Sequence, residues 1–367
     1  MPESLLPAIL RQIRRAGPMT VAEYMAEALH KRDGGYYAAG DPFGAGGDFV
    51  TAPEISQMFG ELIGLWTIST WIGAGAPEPA CLVELGPGRG TLMADMLRAI
   101  GGVVAPGEVF QIHLVESNPS LRAIQAERLA PHQPVWHDDI SSLPDLPWFL
   151  VANEFLDALP IRQLRWTDGA WRECLVVADE AGCELAWGVE RAASTLAGLL
   201  PSDLRDGAEE GAMAELTLAG NAIVGDIARH VAEQGGAALF VDYGSARGSR
   251  GSSLQAVLEH RRVDPLAEPG LADLSSHVDF SQTRAIAEAN GAAFRGPVDQ
   301  GRFLFELGIH ERATALKGGA SPTQRRDIDA AMRRLIAPSE MGTLFKVAAL
   351  LPPDAEDPPG FGSRGGG

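Results

Sequence analysis

The feature that most constrains this chain is a short apolar run followed at once by alternating glycines. Residues 80–92 read ACLVELGPGRGTL, and the glycines are Gly86, Gly88 and Gly90. The pattern predicts a strand, a glycine turn and then a helix. Because glycine has no Cβ, it allows both the backbone angles of such a turn and a close approach of backbone to a ligand. This order of elements is typical of α/β proteins that bind nucleotide-like ligands.

The spacing of the glycines separates two kinds of turn. A dinucleotide-binding fold carries G-x-G-x-x-G and aims the helix N-terminus at a pyrophosphate. This chain has G-x-G-x-G, with Pro87 inside the turn and Glu84 two positions before the first glycine. The form E-x-G-x-G-x-G resembles motif I of the class I S-adenosylmethionine methyltransferases, whose glycine turn lies against the amino-acid part of the cofactor. A tight strand–helix turn without a ligand is the alternative, because glycine-rich matches are common.

Composition and charge argue against several functional classes. The 367 residues, 46% of them hydrophobic, allow one large decorated domain or two domains. A formal charge of −18 disfavours a nucleic-acid binder, and no apolar run is long enough for insertion into a membrane. The three cysteines have no metal-type spacing, so no metal site is expected. These cysteines and an N-terminus without a secretory pattern predict a cytoplasmic protein.

Acidic residues end the next two predicted strands. The segment 110–116 predicts a second parallel strand that ends at Glu116, where a carboxylate can accept both hydrogen bonds of a ribose diol. The segment 135–139 predicts a short third strand, which would place Asp139 near an adenine amino group. A solvated turn is the alternative for Asp139.

The fourth predicted strand carries the sharpest catalytic candidates. It covers residues 148–154 and ends in Asn153 and Glu154. Polar residues at the end of an otherwise apolar strand belong to the ligand crevice of a doubly wound sheet. The alternative is that these two residues cap the segment that follows.

The remaining patterns add further elements to the predicted α/β fold. Residues 161–178 alternate around Thr167-Asp168-Gly169 and predict a hairpin. Strands are expected over 237–244 and 344–351, and the segment 251–279 is expected to be a long irregular loop in which His277 and Asp279 are discounted as metal ligands.

Seven blocks in matching order resemble one family, the MidA-type methyltransferases. This family includes the mitochondrial arginine methyltransferase that assists assembly of respiratory complex I. The blocks are GGDFVTAPEISQMFGELIGLW at 46–66, VELGPGRGTL at 83–92, HLVESNPSLRAIQ at 113–125, NEFLDALPI at 153–161, VDYG at 241–244, GLADLSSHVDFS at 270–281 and MGTLFKVAAL at 341–350.

The resemblance implies a class I methyltransferase fold. We expect a Rossmann-like, doubly wound, mostly parallel sheet with an N-terminal helical extension and inserted hairpin and helical segments. The expected organisation is an N-terminal helical region with a lid loop over 1–75, then a methyltransferase core over 76–352, with insertions at about 161–234 and 250–280. Residues 353–367 are expected to be a disordered tail.

The resemblance also implies a cofactor, a substrate and a site. The cofactor is S-adenosylmethionine, and the substrate is an arginine side chain of a protein, which the family implies to be a complex I subunit. Catalysis is assigned to Asn153, Glu154 and Asp157. The remaining assignments are Glu84, Gly86, Gly88 and Gly90 at the methionine end, Glu116 at the ribose, Asp139 at the adenine, and Gly47, Asp48, Thr51, Pro53, Glu54 and Ser56 in a lid.

One segment departs from the family, and two other functions stay open. Residues 251–260 read GSSLQAVLEH, where family members tend to carry arginine and an aromatic residue near the glutamine–alanine. A mitochondrial presequence is not recognised either, which favours a cytoplasmic member. An NAD-linked oxidoreductase would share the strand, turn and helix, and a non-catalytic assembly factor could bind the cofactor only to stabilise its fold.

Overall fold

The structure is a computed structural model that describes residues 4–31, 34–37 and 51–362. The chain divides into two compact units. The first unit comprises Met1–Phe49, Leu156–Ala222 and Arg247–Gln282, and the second comprises Val50–Phe155, Ile223–Ala246 and Thr283–Gly367.

The described residues form α-helices, three short 3₁₀ turns and strands. The helices are α1 (Leu6–Ala16), α2 (Val21–His30), α3 (Ala52–Ile55), α4 (Gln57–Gly73), α5 (Thr91–Ile100), α6 (Pro106–Val109), α7 (Pro119–Arg128), α8 (Ser202–Arg205), α9 (Leu218–Gln234), α10 (Phe280–Ala289), α11 (Gln300–Glu306), α12 (Ile309–Lys317), α13 (Pro322–Ile336) and α14 (Met341–Leu344). The 3₁₀ turns are Ala130–His132, Ile140–Ser142 and Thr195–Leu199. The strands are β1 (Met19–Thr20), β2 (Ala80–Leu85), β3 (Phe110–Val115), β4 (Val135–His137), β5 (Trp148–Asn153), β6 (Arg162–Thr167), β7 (Ala170–Ala178), β8 (Leu185–Val189), β9 (Met213–Leu216), β10 (Gly236–Ser245), β11 (Gln255–Leu258), β12 (Arg261–Val263), β13 (Asp273–Ser275), β14 (Val278–Asp279), β15 (Ala293–Asp299) and β16 (Phe345–Leu351).

The second unit is built on a sheet in the order β15-β16-β10-β5-β2-β3-β4. Strands β2, β3, β4, β5 and β10 are parallel to one another, and β16 runs antiparallel to both β10 and β15. Strands β3 and β4 lie on one side of β2, and β5 and β10 lie on the other side. The strand order therefore reverses between β2 and β5. This order is that of the doubly wound, mostly parallel sheet that was expected from the sequence.

Full burial on both faces explains why the central strands are continuous apolar runs. Every residue of β2 and β5 is buried, as expected for parallel strands covered on both sides. Helix α4 packs on α5 at close range, because added Cβ atoms at Gly60 and Gly64 would lie only 2.5 Å and 2.7 Å from atoms of α5. Two glycines thus allow the backbones of these helices to approach each other.

The first unit contains two smaller antiparallel sheets. One has the path β1-β7-β6-β9 with β8 paired to β7, and the other has the order β12-β11-β13. The predicted hairpin around Thr167 is confirmed as β6 and β7. Helix α2 begins with a capping box, in which the Thr20 hydroxyl accepts the Glu23 N–H and the Glu23 carboxylate accepts the Thr20 N–H.

Two expectations about irregular segments are wrong. The segment 251–279 was expected to be an irregular loop, but it contains β11, β12 and β13, which form a sheet with buried Ala256 and Leu274. The expectation of a disordered tail fails for residues 353–362, where Phe361 is buried and its ring packs against Phe303. Residues 363–367 lie outside the described part of the chain.

The observed division also differs from the expected boundary near residue 75. Helix α4 belongs to the second unit, because its apolar side chains join the core around the large sheet. Helices α1 and α2 belong to the first unit and share a core with β7 and β13.

Candidate functional site

The glycine turn follows β2 at the point where the large sheet reverses its order. Ligands of doubly wound sheets bind beyond the carboxyl ends of the strands at this switch point. The backbone φ angles of Gly86, Gly88 and Gly90 are +59°, +52° and +74°. These are left-handed conformations that disfavour residues with a Cβ, so glycine is the favoured residue at all three positions.

The turn lies close to the chain that leaves the neighbouring strand β5. A Cβ added at Gly86 would be 3.1 Å from Cδ2 of Phe155. The Gly90 N–H donates to the carbonyl of Pro87, which closes the turn, and α5 begins at the next residue.

Glu84 is buried directly behind the glycine turn. Its carboxylate accepts the backbone N–H of Met93 in α5, and its Oε2 has no hydrogen-bond partner among the described residues. Burial raises the pKa of Glu84 from its ordinary value of 4.5 to about 8. An incompletely paired buried carboxyl beside a glycine turn can accept a hydrogen bond from a ligand.

The raised pKa of Glu84 predicts a pH-dependent stability. The folded protein keeps its proton between pH 4.5 and about 8 while the unfolded chain loses it, so the free energy of unfolding falls as pH rises through this range. A Glu84→Gln variant removes this loss. We expect the free energy of unfolding of the variant, relative to that of the wild type, to be on the order of 3 kcal/mol higher at pH 7 than at pH 4. Urea unfolding at several pH values measures the difference. The control is Glu127→Gln on the exposed face of α7, and equal slopes for Glu84→Gln and wild type would contradict the assignment.

Glu116 follows β3 at the same edge of the sheet. Its Oε1 accepts the N–H of Asn118 at 2.7 Å, and its carboxylate also accepts a hydrogen bond from the Gln125 side chain. Partial burial raises the pKa of Glu116, and these hydrogen bonds oppose the shift. The structure thus places a fixed carboxylate beyond β3, next to the glycine turn along the sheet edge.

Asp139 has the turn role that was the alternative to adenine binding. Its Oδ1 accepts the Ser141 N–H at 2.8 Å and also the Ser141 hydroxyl, so it caps the 3₁₀ turn Ile140–Ser142. The side chain is exposed to solvent. These hydrogen bonds hold the pKa of Asp139 below its usual range.

Asn153 and Glu154 meet at the end of β5. The Asn153 side chain is buried, and its Nδ2 donates to Glu154 Oε1 at 3.2 Å while its Oδ1 has no hydrogen-bond partner among the described residues. Glu154 has a φ of +50°, and its N–H donates to the carbonyl of Val241 in β10 at 2.8 Å. A glutamate in the left-handed region is unusual and is found where surrounding contacts hold it, often at functional sites.

The same carboxylate contacts the segment before α4. Glu154 Oε1 accepts the N–H of Ala52, the first residue of α3, at 3.2 Å. This contact joins α3, within the predicted lid block, to the end of β5. The alternative expected from the sequence was that Glu154 caps the segment that follows it. In the structure its carboxylate instead accepts an N–H at the start of α3.

The described part of the lid block forms α3 and the N-cap of α4. Pro53 is buried, Glu54 accepts the hydroxyl of Thr91 at the start of α5, and the Ser56 hydroxyl caps α4 by accepting the Met58 N–H. Thr51 is the N-cap residue of α3. Gly47 and Asp48 lie outside the described residues.

Asp157 belongs to the first unit, whereas Asn153 and Glu154 belong to the second. Within the first unit Asp157 is buried, and its backbone carbonyl accepts the Ser276 N–H at 3.0 Å. The structure therefore brings Asn153 and Glu154 together at one strand end and describes Asp157 in a separate unit.

The sequence analysis did not assign Asp242 to the site. This aspartate is buried near the end of β10, where its Oδ2 accepts the Phe155 N–H at 3.2 Å and its Oδ1 accepts the Tyr243 N–H at 3.0 Å. Asp242 thus holds the chain directly after Glu154. The signal was present as a polar residue following the apolar strand 237–241.

The residues at this edge fit S-adenosylmethionine. The left-handed glycine turn leaves room where a Cβ would stand, the unpaired Glu84 oxygen can accept a hydrogen bond, and Glu116 is suited to a ribose diol. Among the described residues, no group of three or more histidine, cysteine, aspartate or glutamate side chains could hold a metal ion. In the same residues, no helix has the length and apolar character needed to cross a membrane.

Comparisons with known proteins place this chain among methyltransferases. The family model described as "Putative S-adenosyl-L-methionine-dependent methyltransferase" matches residues 62–298. A crystal structure of a Burkholderia thailandensis protein bound to S-adenosyl-homocysteine has a TM-score of 0.82 and 28% identity, covering 98% of this chain and 95% of its own.

Curated relatives match over nearly the whole chain. The mitochondrial protein arginine methyltransferase NDUFAF7 of Danio rerio is 38% identical, over 95% of this chain and 87% of its own. The corresponding values are 37%, 95% and 85% for the Drosophila melanogaster homolog, and 35%, 95% and 83% for the protein of Homo sapiens. Because these relatives are named as mitochondrial, the expectation of a cytoplasmic protein is wrong. The chain belongs to this family of S-adenosylmethionine-dependent methyltransferases, and S-adenosylmethionine is its cofactor.

Proposed function

We propose that this protein transfers a methyl group to an arginine side chain of a protein substrate, and that the target is a subunit of respiratory complex I. The observation that carries the proposal is the similarity to proteins named protein arginine methyltransferase, which extends over 95% of the chain. The choice of complex I rests on the resemblance to the MidA-type family.

Methylation of arginine requires control of a charged nucleophile. S-adenosylmethionine supplies an electrophilic methyl group on a cationic sulfur. The guanidinium of arginine keeps its proton in water, with a pKa of roughly 12.5–13.8, so the protein must orient one nitrogen and accept positive charge as the bond forms. Carboxylates do this best, because they bind the planar guanidinium through paired hydrogen bonds.

We assign the guanidinium contact to the carboxylate of Glu154, with Asn153 orienting substrate or backbone, while the assignment of Asp157 to the same contact stays a prediction from the sequence. Glu154 supports this role because its backbone is held in an unusual conformation beside the glycine turn. The hydrogen bonds from Ala52 and Asn153 to Oε1 fix the orientation of its carboxylate. A fixed carboxylate reduces the reorganisation needed when charge moves in the transition state.

We assign the methionine end of the cofactor to Glu84 and the three glycines of the turn, and the ribose to Glu116. The block containing Thr51, Pro53, Glu54 and Ser56, with Gly47 and Asp48, is assigned to a lid over cofactor and target. Asp139 is not assigned to adenine, because its carboxylate caps its own exposed turn.

A labelled transfer assay tests the proposed substrate. The purified protein is incubated with methyl-labelled S-adenosylmethionine and individual purified complex I subunits, and mass spectrometry locates the label. We expect the label on an arginine of one subunit, and replacement of that arginine by lysine should abolish labelling. Label on another residue type would contradict arginine as the acceptor. Cofactor binding without transfer to any subunit would favour the non-catalytic assembly factor.

A further inference from the structure

One buried glutamine, Gln125, connects the glycine turn with strand β4 and with Glu116. Gln125 lies on the inner face of α7 and is completely buried. Its Nε2 donates to the carbonyl of Gly88 in the glycine turn at 2.7 Å. Its Oε1 accepts the indole N–H of Trp136 in β4 at 2.8 Å. A third hydrogen bond joins its side chain to the Glu116 carboxylate.

These contacts engage both the nitrogen and the oxygen of the primary amide. The Nε2 of Gln125 donates to the Gly88 carbonyl, its oxygen accepts from Trp136, and its side chain also interacts with the Glu116 carboxylate. The aliphatic part of the side chain also packs against the turn, since a Cβ at Gly90 would lie 3.5 Å from Gln125 Cγ. The glutamine thus contacts the turn at two of its glycines.

Stability of the helix alone does not explain a glutamine at this position. A buried amide loses its hydration, and only complete hydrogen bonding offsets this loss. Leucine has a similar helix propensity and would fill an apolar site without that loss. In the structure, the amide instead interacts with the Gly88 carbonyl and with Glu116, the carboxylate that we assign to the ribose.

We propose that Gln125 is a positioning residue that sets cofactor affinity by holding the glycine turn and Glu116 in one relative geometry. The residue acts through Gly88 and Glu116 and needs no contact with the cofactor itself. This inference rests on the cofactor site described above and does not depend on arginine as the methyl acceptor.

Calorimetric titration with S-adenosylhomocysteine tests the proposal. We expect Gln125→Leu to raise the dissociation constant about 10- to 100-fold, because the turn carbonyl and Glu116 each lose a donor in a buried setting. The fitted stoichiometry reports the folded fraction, so an effect on folding alone would lower the stoichiometry and leave the dissociation constant unchanged. Glu127→Gln on the exposed face of α7 is the control. If Gln125→Leu does not fold, Gln125→Glu replaces it, since a carboxylate also lacks both N–H donors.

A double-mutant cycle with Glu116 separates positioning from a general structural role. If Gln125 acts partly through Glu116, the Gln125→Leu/Glu116→Gln pair should lose clearly less affinity than the product of the two single losses. A dissociation constant within twofold of wild type for the folded Gln125 variant, or strictly multiplicative losses in the pair, would overturn the proposal. Wild-type protein that fails to bind would instead count against the cofactor site as a whole.

Discussion

A Gly86→Val variant is expected to bind S-adenosylmethionine at least about 100-fold more weakly than wild type while keeping its folded sheet. The φ of Gly86 is +59°, a region that is costly for a β-branched residue. Its Cβ would also stand 3.1 Å from the Phe155 ring, and the added methyl groups would extend into the crevice. Both effects act on the turn that we assign to the methionine end of the cofactor.

The matched control for this variant is Gly169→Val. Gly169 has a similar φ of +73°, but an added Cβ would meet no atom within 4 Å, and the residue lies in the β6–β7 hairpin. We expect Gly169→Val to lose stability through backbone strain and to bind the cofactor normally. Circular dichroism checks the fold of both proteins, and calorimetry measures their affinities. Normal affinity of Gly86→Val would mean that the glycine turn does not contact the cofactor.

A Glu154→Gln variant is expected to lose about 100- to 1,000-fold in turnover, with cofactor affinity within about twofold of wild type. Glutamine keeps an oxygen that can accept the Ala52 N–H, so the contact with α3 survives. The substitution removes the negative charge that we assign to the guanidinium. Turnover is measured in the labelled transfer assay with saturating cofactor, and the substrate is the subunit that accepts the methyl group.

A Glu154→Ala variant distinguishes catalysis from anchoring of α3. If Glu154 only held α3, Glu154→Gln would keep its turnover and Glu154→Ala, which loses the contact with Ala52, would not. If the charge matters, both variants lose turnover to a similar extent. Unchanged turnover of Glu154→Gln would remove Glu154 from the catalytic assignment.

The elements around the glycine turn were predictable because their signals are local. Strand β2, the glycine turn and helix α5 have the predicted order, since a buried strand, three glycines in left-handed conformations and a helix follow one another without interruption. The polar residues at the strand ends were equally clear, because β5 stops at Asn153 and Glu116 directly follows β3.

The remaining features depend on contacts between distant residues. Strands β11, β12 and β13 have only three or four residues each, too few to establish an alternating pattern. The tail is rich in proline and glycine, but an ion pair between Arg295 and Asp357 and the packing of Phe361 on Phe303 hold it in place. The hydrogen bonds of Gln125 likewise join residues from different segments of the chain, so no local pattern indicates them.

Titration of the purified protein with S-adenosylmethionine and S-adenosylhomocysteine, with NAD as the control ligand, tests the central claim most directly. The left-handed turn, the buried Glu84 carboxyl and the G-x-G-x-G spacing predict saturable binding of the first two ligands and none of NAD. Binding of NAD in place of S-adenosylmethionine would contradict the assignment of the cofactor and of the residues around it.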